Sequence, residues 1–142
     1  MTVVLDCNVL VRCFSSRSPH HLIYRSLINT KFNLAITSEI MLEYEEIVQQ
    51  KYSLAAANSL MAVLLELPNV KFVHPHFNWH LIEADKEDNK YCDCAIASQS
   101  FCLVTDDKHF DVLKNIPFPS ITVLSTDGFF DLLLSALKKT ND

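Results

Sequence analysis

Five short apolar runs recur along the chain, at 2–6, 33–37, 70–73, 102–105 and 121–124, each too brief for a helix and each parted from the next by residues of helical spacing. The first, inside "VVLDCNVL" at 3–10, is β-branched and continuous, the pattern of a strand covered on both faces. The intervening spacing predicts helices from 8 to 14 and from 19 to about 31. Others follow Ser38 ("EIMLEYEEIVQQK") and Ser53 ("LAAANSLMAVLLEL"), serines placed to cap them, while Pro68 and Asn69 close the second. "DNKYCDCAIASQS" and "DKHFDVLKN" read as two more, and "DGFFDLLLSALKK" closes the chain after Ser125 and Thr126. The stretch 75–87 is polar, aromatic and irregular. Strands alternating with helices predict an α/β fold around a parallel, doubly covered sheet. A length of 142 residues fits one domain, 1–142.

The chain has one glycine, Gly128, which excludes the glycine-rich phosphate cradles of dinucleotide-binding and P-loop folds. A net charge of −5 argues against a broad basic surface gripping nucleic acid by counterion release, yet leaves room for an acidic site neutralised by metal. Cys7, Cys13, Cys92, Cys94 and Cys102 sit among apolar neighbours, an odd number without zinc-type spacing, which suggests reduced thiols and a cytoplasmic protein. Cys92 and Cys94 read better as small core residues than as metal ligands. Asp6 interrupts the N-terminal apolar run with no basic stretch before it, so neither a signal peptide nor a membrane association is expected.

A carboxylate at the end of a buried strand is costly unless its charge is compensated. Asp6 ends the first strand, Asp107 follows the fourth in "LVTDD", Asp88 opens a helix, and Glu43 lies early in the helix after the second strand. In a parallel sheet these positions share the carboxyl edge, where ligands bind. At about 100° per residue, Glu43 lies beside the stripe of Ile40, Tyr44, Ile47 and Val48. Asp88 extends the stripe of Tyr91, Cys92, Ala95 and Ile96, with Asp93 well off it but on a helix apolar nearly all round. Each acid singly has a plainer role: a cap, a turn, a surface charge or a lysine partner. Together they suggest a shared ion, because two carboxylates at about 4 Å repel by roughly 4 kcal/mol at an effective dielectric of 20. Such a cluster takes up protons or binds a cation, and oxygen ligands suit Mg²⁺ or Mn²⁺. Asn8 and Thr105 are placed to orient the neighbouring carboxylates or a water.

These motifs resemble the PIN-domain family, which includes the toxin ribonucleases of bacterial toxin–antitoxin pairs. "VVLDCNVL" resembles the family's strand ending in D-x-N, and "SEIMLEYEEIV" the segment of its glutamate, which falls on Glu43. "DNKYCDCAIASQSFCLVTDDKHF" resembles its third and fourth motifs without a gap, placing the third acid on Asp88, a secondary one on Asp93 and the T-x-D pair on Thr105 and Asp107. Some branches set the third acid before an A-x-I-A run, which would select Asp93 instead. "TDD" departs from the usual glycine between threonine and aspartate; Asp106 tolerates a left-handed backbone but adds a charge beside the site. The resemblance implies a three-layer α/β/α sandwich around a mainly parallel sheet of about five strands. It also implies Mg²⁺- or Mn²⁺-dependent cleavage of RNA, usually single-stranded, and for the toxin branch a homodimer inhibited by a small antitoxin.

The expectation is therefore a metal-dependent endoribonuclease, with metal on Asp6, Asp88 and Asp107 and with Glu43 completing the shell or positioning water. The alternative is a catalytically silent PIN-like module that binds RNA or protein. An aspartyl-phosphate phosphatase is disfavoured because "DCN" breaks D-x-D-x-T. His74, His76 and His80 in "HPHFNWH" read as a surface loop rather than a metal site, and His20 and His21 as the first turn of a helix. Phe77, Trp79 and Tyr91 are candidates for stacking on unpaired bases, with packing against the sheet the plainer role. Arg12, Arg17, Lys90, Lys108 and His109 are candidate phosphate contacts or ordinary surface charge.

Overall fold

In the computed structural model, which describes residues 1–140, the apolar runs become one sheet. Strands β1 (Thr2–Leu5), β2 (Asn33–Ile36), β3 (Val70–Phe72), β4 (Cys102–Val104) and β5 (Val123–Leu124) are all parallel, in the order β3-β2-β1-β4-β5. Helices α1 (Cys7–Phe14), α2 (His21–Ile28), α3 (Ser38–Lys51), α4 (Leu54–Glu66), α5 (Asn89–Ala97) and α6 (Thr126–Thr140) cover both faces, giving three layers. Coverage on both sides explains the lack of alternation: Val3, Val4, Leu5, Leu34, Ala35, Ile36, Leu103 and Val104 are all sealed from solvent.

From β1 the chain steps outward through β2 to β3, then crosses back to place β4 on the other side of β1. Strand order thus reverses between β1 and β4, and the crevice outside their carboxyl ends is where such sheets bind ligands. Leu5 pairs with Val104, so Asp6 and Thr105 are the first residues beyond the paired ends. The last carbonyl of β1, on Leu5, accepts a hydrogen bond from buried Tyr44 of α3 at 2.5 Å.

The structure shifts several boundaries. Thr37, not Ser38, caps α3, its hydroxyl accepting from the Ile40 amide at 3.2 Å; Ser53 caps α4 as expected. The helix expected at 19–31 is confined to α2, and the predicted helix at "DKHFDVLKN" is a 3₁₀ segment, Lys108–Asn115. It is a short connector that stops before Pro117, conditions that favour the tighter winding. Asp88 ends a separate 3₁₀ turn, Lys86–Asp88, and α5 begins one residue later. The irregular stretch before it is pinned by Asn89, whose side chain exchanges two hydrogen bonds with the backbone of buried Ile82, both at 2.9 Å. All five cysteines are buried and unpaired, and burial pushes the Cys92 and Cys94 thiols up to about 12. Among the described residues no helix is long and apolar enough to cross a membrane.

Asn69, buried ahead of β3, donates from Nδ2 to the carbonyls of Leu27 (2.9 Å) and Phe32 (2.7 Å), tying the α2–β2 connection to the sheet edge. Asn69→Ala removes the donor to Phe32 and leaves Leu27 only the Thr30 amide (3.1 Å), so urea unfolding should show a loss of about 1 kcal/mol. An unchanged midpoint would mean that the connection is held by its apolar contacts alone.

Candidate active site

Asp6 leaves β1 at the N-cap of α1 and is only 5% exposed. Its Oδ2 accepts from the Thr105 hydroxyl at 2.7 Å, and that hydroxyl oxygen in turn accepts from the Asp107 amide at 3.1 Å. Thr105 therefore splices the end of β1 to the turn after β4. The Asp107 carboxylate accepts from the His109 amide at 2.9 Å. The imidazole Nδ1 of His109 then lies 3.5 Å from Asp107 Oδ1 and 3.3 Å from Asp88 Oδ2. Asp6, Thr105, Asp107, His109 and Asp88 thus form one contiguous polar chain across the switch point.

Electrostatics single out Asp6. Burial, reinforced by the negative charges of Asp88 and Asp107, pushes its carboxyl up to about 6, against the opposing hydrogen bonds from Thr105 and the Cys7 amide. No lysine, arginine or histidine of the described residues lies within 4.0 Å of it. Burial and the neighbouring Asp85 raise Asp88 as well, with His109 opposing. Asp85, Asp88 and His109 each offer a ligand atom within 4.8 Å of the others'. A buried carboxylate without an internal cation, beside further carboxylates and one imidazole, is a donor set that fits a hard divalent ion. Among the described residues, the ligand atoms close enough to share one ion are those of Asp85, Asp88 and His109; Asp107 adjoins them through His109, and Asp6 through Thr105.

Glu43 is engaged differently. Its carboxylate accepts from the Tyr91 hydroxyl and, at 3.0 Å, from Lys90 Nζ, joining α3 to α5. The same Tyr91 oxygen accepts from the Cys7 amide at 3.2 Å, so Glu43 reaches the residue after Asp6 through one side chain. Asn8 is exposed on α1 and lines an open cavity of about 200 Å³ with Asp6, Arg12, Asp106 and Asp107.

Asp93 is buried but belongs to another locality. Its Oδ1 accepts from the Trp79 amide at 3.1 Å, anchoring the 74–84 segment on α5, and it lines a second cavity, of about 230 Å³, with Glu39 and Lys90. Burial raises its carboxyl, with the Trp79 amide opposing.

Asp106 does not load the site with an extra charge. Its carboxylate accepts from the Thr126 amide (2.9 Å) and hydroxyl (2.6 Å) at the start of α6, and from Arg12 at 2.9 Å. Burial works against ionisation, but these bonds and the Arg12 charge outweigh it and hold the group below the usual carboxylate value. Asp106 does not use the left-handed conformation, which non-glycine residues adopt at Thr30, His80 and Gln99.

Tyr91 is buried, with no face open to a base, whereas Phe77 is 62% exposed and packs on Trp79 at a centroid distance of 4.7 Å. Among the described residues His74, His76 and His80 form no metal-binding group. Asp85 was not anticipated. Its signal is the D-x-x-D spacing to Asp88, which one 3₁₀ turn brings to the same side. His109, a candidate phosphate contact or surface charge by sequence, is inserted between the acids by its place two residues after Asp107.

A family model described as PIN domain matches residues 2–109. No curated protein sequence matches the chain. The VapBC2 complex of Rickettsia felis, solved bound to a fragment of promoter DNA, contains a similar chain, with 17% identity and a TM-score of 0.61 over 88% of this chain and 98% of that one. VapC20 of Mycobacterium tuberculosis, a toxin that cleaves the sarcin–ricin loop, is similar at 12% identity and a TM-score of 0.57, over 77% and 92% of the two chains. The PIN domain of T. brucei RRP44 is similar at 13% identity and a TM-score of 0.52, over 98% and 84%.

Proposed function

Because the chain belongs to the PIN-domain family, we propose that it is a metal-dependent endoribonuclease acting on single-stranded RNA, and the toxin of a toxin–antitoxin pair. One observation carries this reading: a buried Asp6 carboxylate, without an internal cation, linked through Thr105 to Asp107 and facing the charge of Asp88. On this reading residues 1–142 form one domain, and Asp6, Asp88 and Asp107 hold Mg²⁺ or Mn²⁺. When bound, such an ion neutralises phosphate charge and promotes attack by water. Thr105 fixes the Asp6 Oδ2 atom and the Asp107 backbone together, so the two carboxylates keep their spacing without a flexible linker. Glu43, oriented by Tyr91 and Lys90, is assigned the placement of water, with Asn8 on the open side and Asp93 in support through the segment it anchors. The toxin reading adds a cytoplasmic homodimer silenced by a small antitoxin, in keeping with the VapBC2 and VapC20 likenesses.

The test is incubation of the purified protein with mixed single-stranded RNA in Mg²⁺, in Mn²⁺ and in EDTA. Cleavage with either metal, abolished by EDTA, is the expected result. A silent binding module is favoured by the Lys90–Glu43 ion pair, which already occupies the fourth carboxylate. RNA bound but left intact in both metals would establish that reading instead.

A further inference from the structure

Five basic side chains stand near the acidic motifs, and their surroundings separate them. Lys90 is spent on Glu43 (3.0 Å) and Glu87 (3.4 Å), with only a tenth of its side chain exposed. His109 sits between Asp88 and Asp107. Lys108 lines a neighbouring depression that Thr105, Asp106 and Asp107 also line but Asp6 does not. Arg17 lies beyond the end of α1 and lines neither.

Arg12 alone lines the cavity that Asp6 and Asp107 also line, and its side chain is half exposed. It stands four residues after Asn8, so both project from one face of α1 over that cavity. Its Nη1 donates to Asp106 Oδ2 at 2.9 Å, and Asp106 is itself locked onto the Thr126 amide and hydroxyl. A guanidinium presents five N–H donors in a planar fork. Holding it by Nη1 fixes the plane and leaves its other donors without a partner among the described residues. That is the geometry that receives a phosphate in two parallel hydrogen bonds. In a chain of net charge −5, an anionic strand approaching the acids needs such a local cation.

We propose that Arg12 is the phosphate-binding residue of the site, taking a backbone phosphate of the single-stranded RNA beside Asp6 and Asp107, and that Asp106 is its positioning residue. This rests on the endoribonuclease reading for the identity of the strand, though the phosphate contact itself does not require cleavage. The Asp106 carboxylate, an addition beside the site in sequence, thereby acquires a purpose: it braces the arginine against the start of α6.

The experiment uses the whole protein and a 5′-fluorescein single-stranded RNA 12-mer containing all four bases. Anisotropy in EDTA, between 50 and 200 mM KCl, reads binding; initial rates in Mg²⁺ read kcat and KM. Arg12→Ala should weaken binding and raise KM roughly tenfold, with kcat changed far less, and should lower the salt slope by about 0.7, the value for one lost contact to a single strand. Arg12→Lys should restore the salt slope but not the full affinity, because a point charge replaces a fork. Asp106→Asn should raise KM with an unaltered salt slope, which a merely structural role in capping α6 would not produce. An Arg12→Ala protein with wild-type KM and wild-type salt slope would overturn the proposal. If the wild type binds but never cuts, the loss of slope in Arg12→Ala still upholds the phosphate contact while the endoribonuclease reading falls.

Discussion

Asp6→Asn is expected to abolish RNA cleavage while making the metal-free protein harder to unfold at neutral pH. Asparagine is nearly isosteric, and its side-chain oxygen can still accept the Thr105 hydroxyl bond, so the junction of β1 and β4 survives. What disappears is a buried negative charge facing Asp88 and Asp107. On the proposed reading that charge helps to hold a divalent ion, whose effect on a phosphodiester transition state is worth several kcal/mol. Cleavage in Mg²⁺ should therefore fall on the order of a thousandfold. The melting temperature in EDTA at pH 7.5 should rise by several degrees, and the further rise that Mg²⁺ gives the wild type should vanish. Full activity in the variant would sink the metal-site assignment. Lost activity with a lowered melting temperature would mean that Asp6 is structural.

The second expectation concerns pH. Burial takes the Asp6 carboxyl from 3.8 to about 6, so the folded protein holds its proton more tightly than the unfolded chain does. The stability tied to that proton is complete below pH 3.8 and is lost as pH rises through 6. At 1.36 kcal/mol per pH unit the difference amounts to about 3 kcal/mol. Asp88, raised by its own burial and by Asp85, adds in the same sense. Urea titrations of the metal-free wild type between pH 4 and 7.5, each paired with Asp6→Asn to subtract all other groups, should recover a difference of this sign and size. Saturating Mg²⁺ should flatten it, because binding favours the ionised carboxylate. Parallel pH profiles for the two proteins would refute the claim that Asp6 carries uncompensated charge.

Both expectations descend from a feature visible in the first ten residues, an acid at the end of a doubly covered strand. Helical phase set Asp88 on the buried stripe and Asp93 off it, but Asp88 ends a 3₁₀ turn ahead of α5 and Asp93 is the buried one; Asp88 contacts His109, and Asp93 takes the Trp79 amide. Other features lay outside the reach of local pattern. Glu43 sits on the expected face of α3, but its pairing with Lys90 and Tyr91 depends on how α3 and α5 pack. Asp106 looked like a surplus charge because its partners, Arg12 and Thr126, are 94 and 20 residues away. The 3₁₀ winding of 108–115 escaped notice because apolar periodicity in so short a stretch does not separate it from an α-helix.

Sequence alone determined the alternation of strands and helices, the doubly covered sheet and the presence of acids at its carboxyl edge, because these follow from side-chain period and from the cost of burying charge. Tertiary structure decided which acids share a field and which basic residue stands over the cavity beside them, because crossing from β3 back to β4 brings residues about a hundred positions apart to adjacent strand ends. Hydrogen bonds as specific as that of Thr105 to Asp6 arise only once that crossing is made.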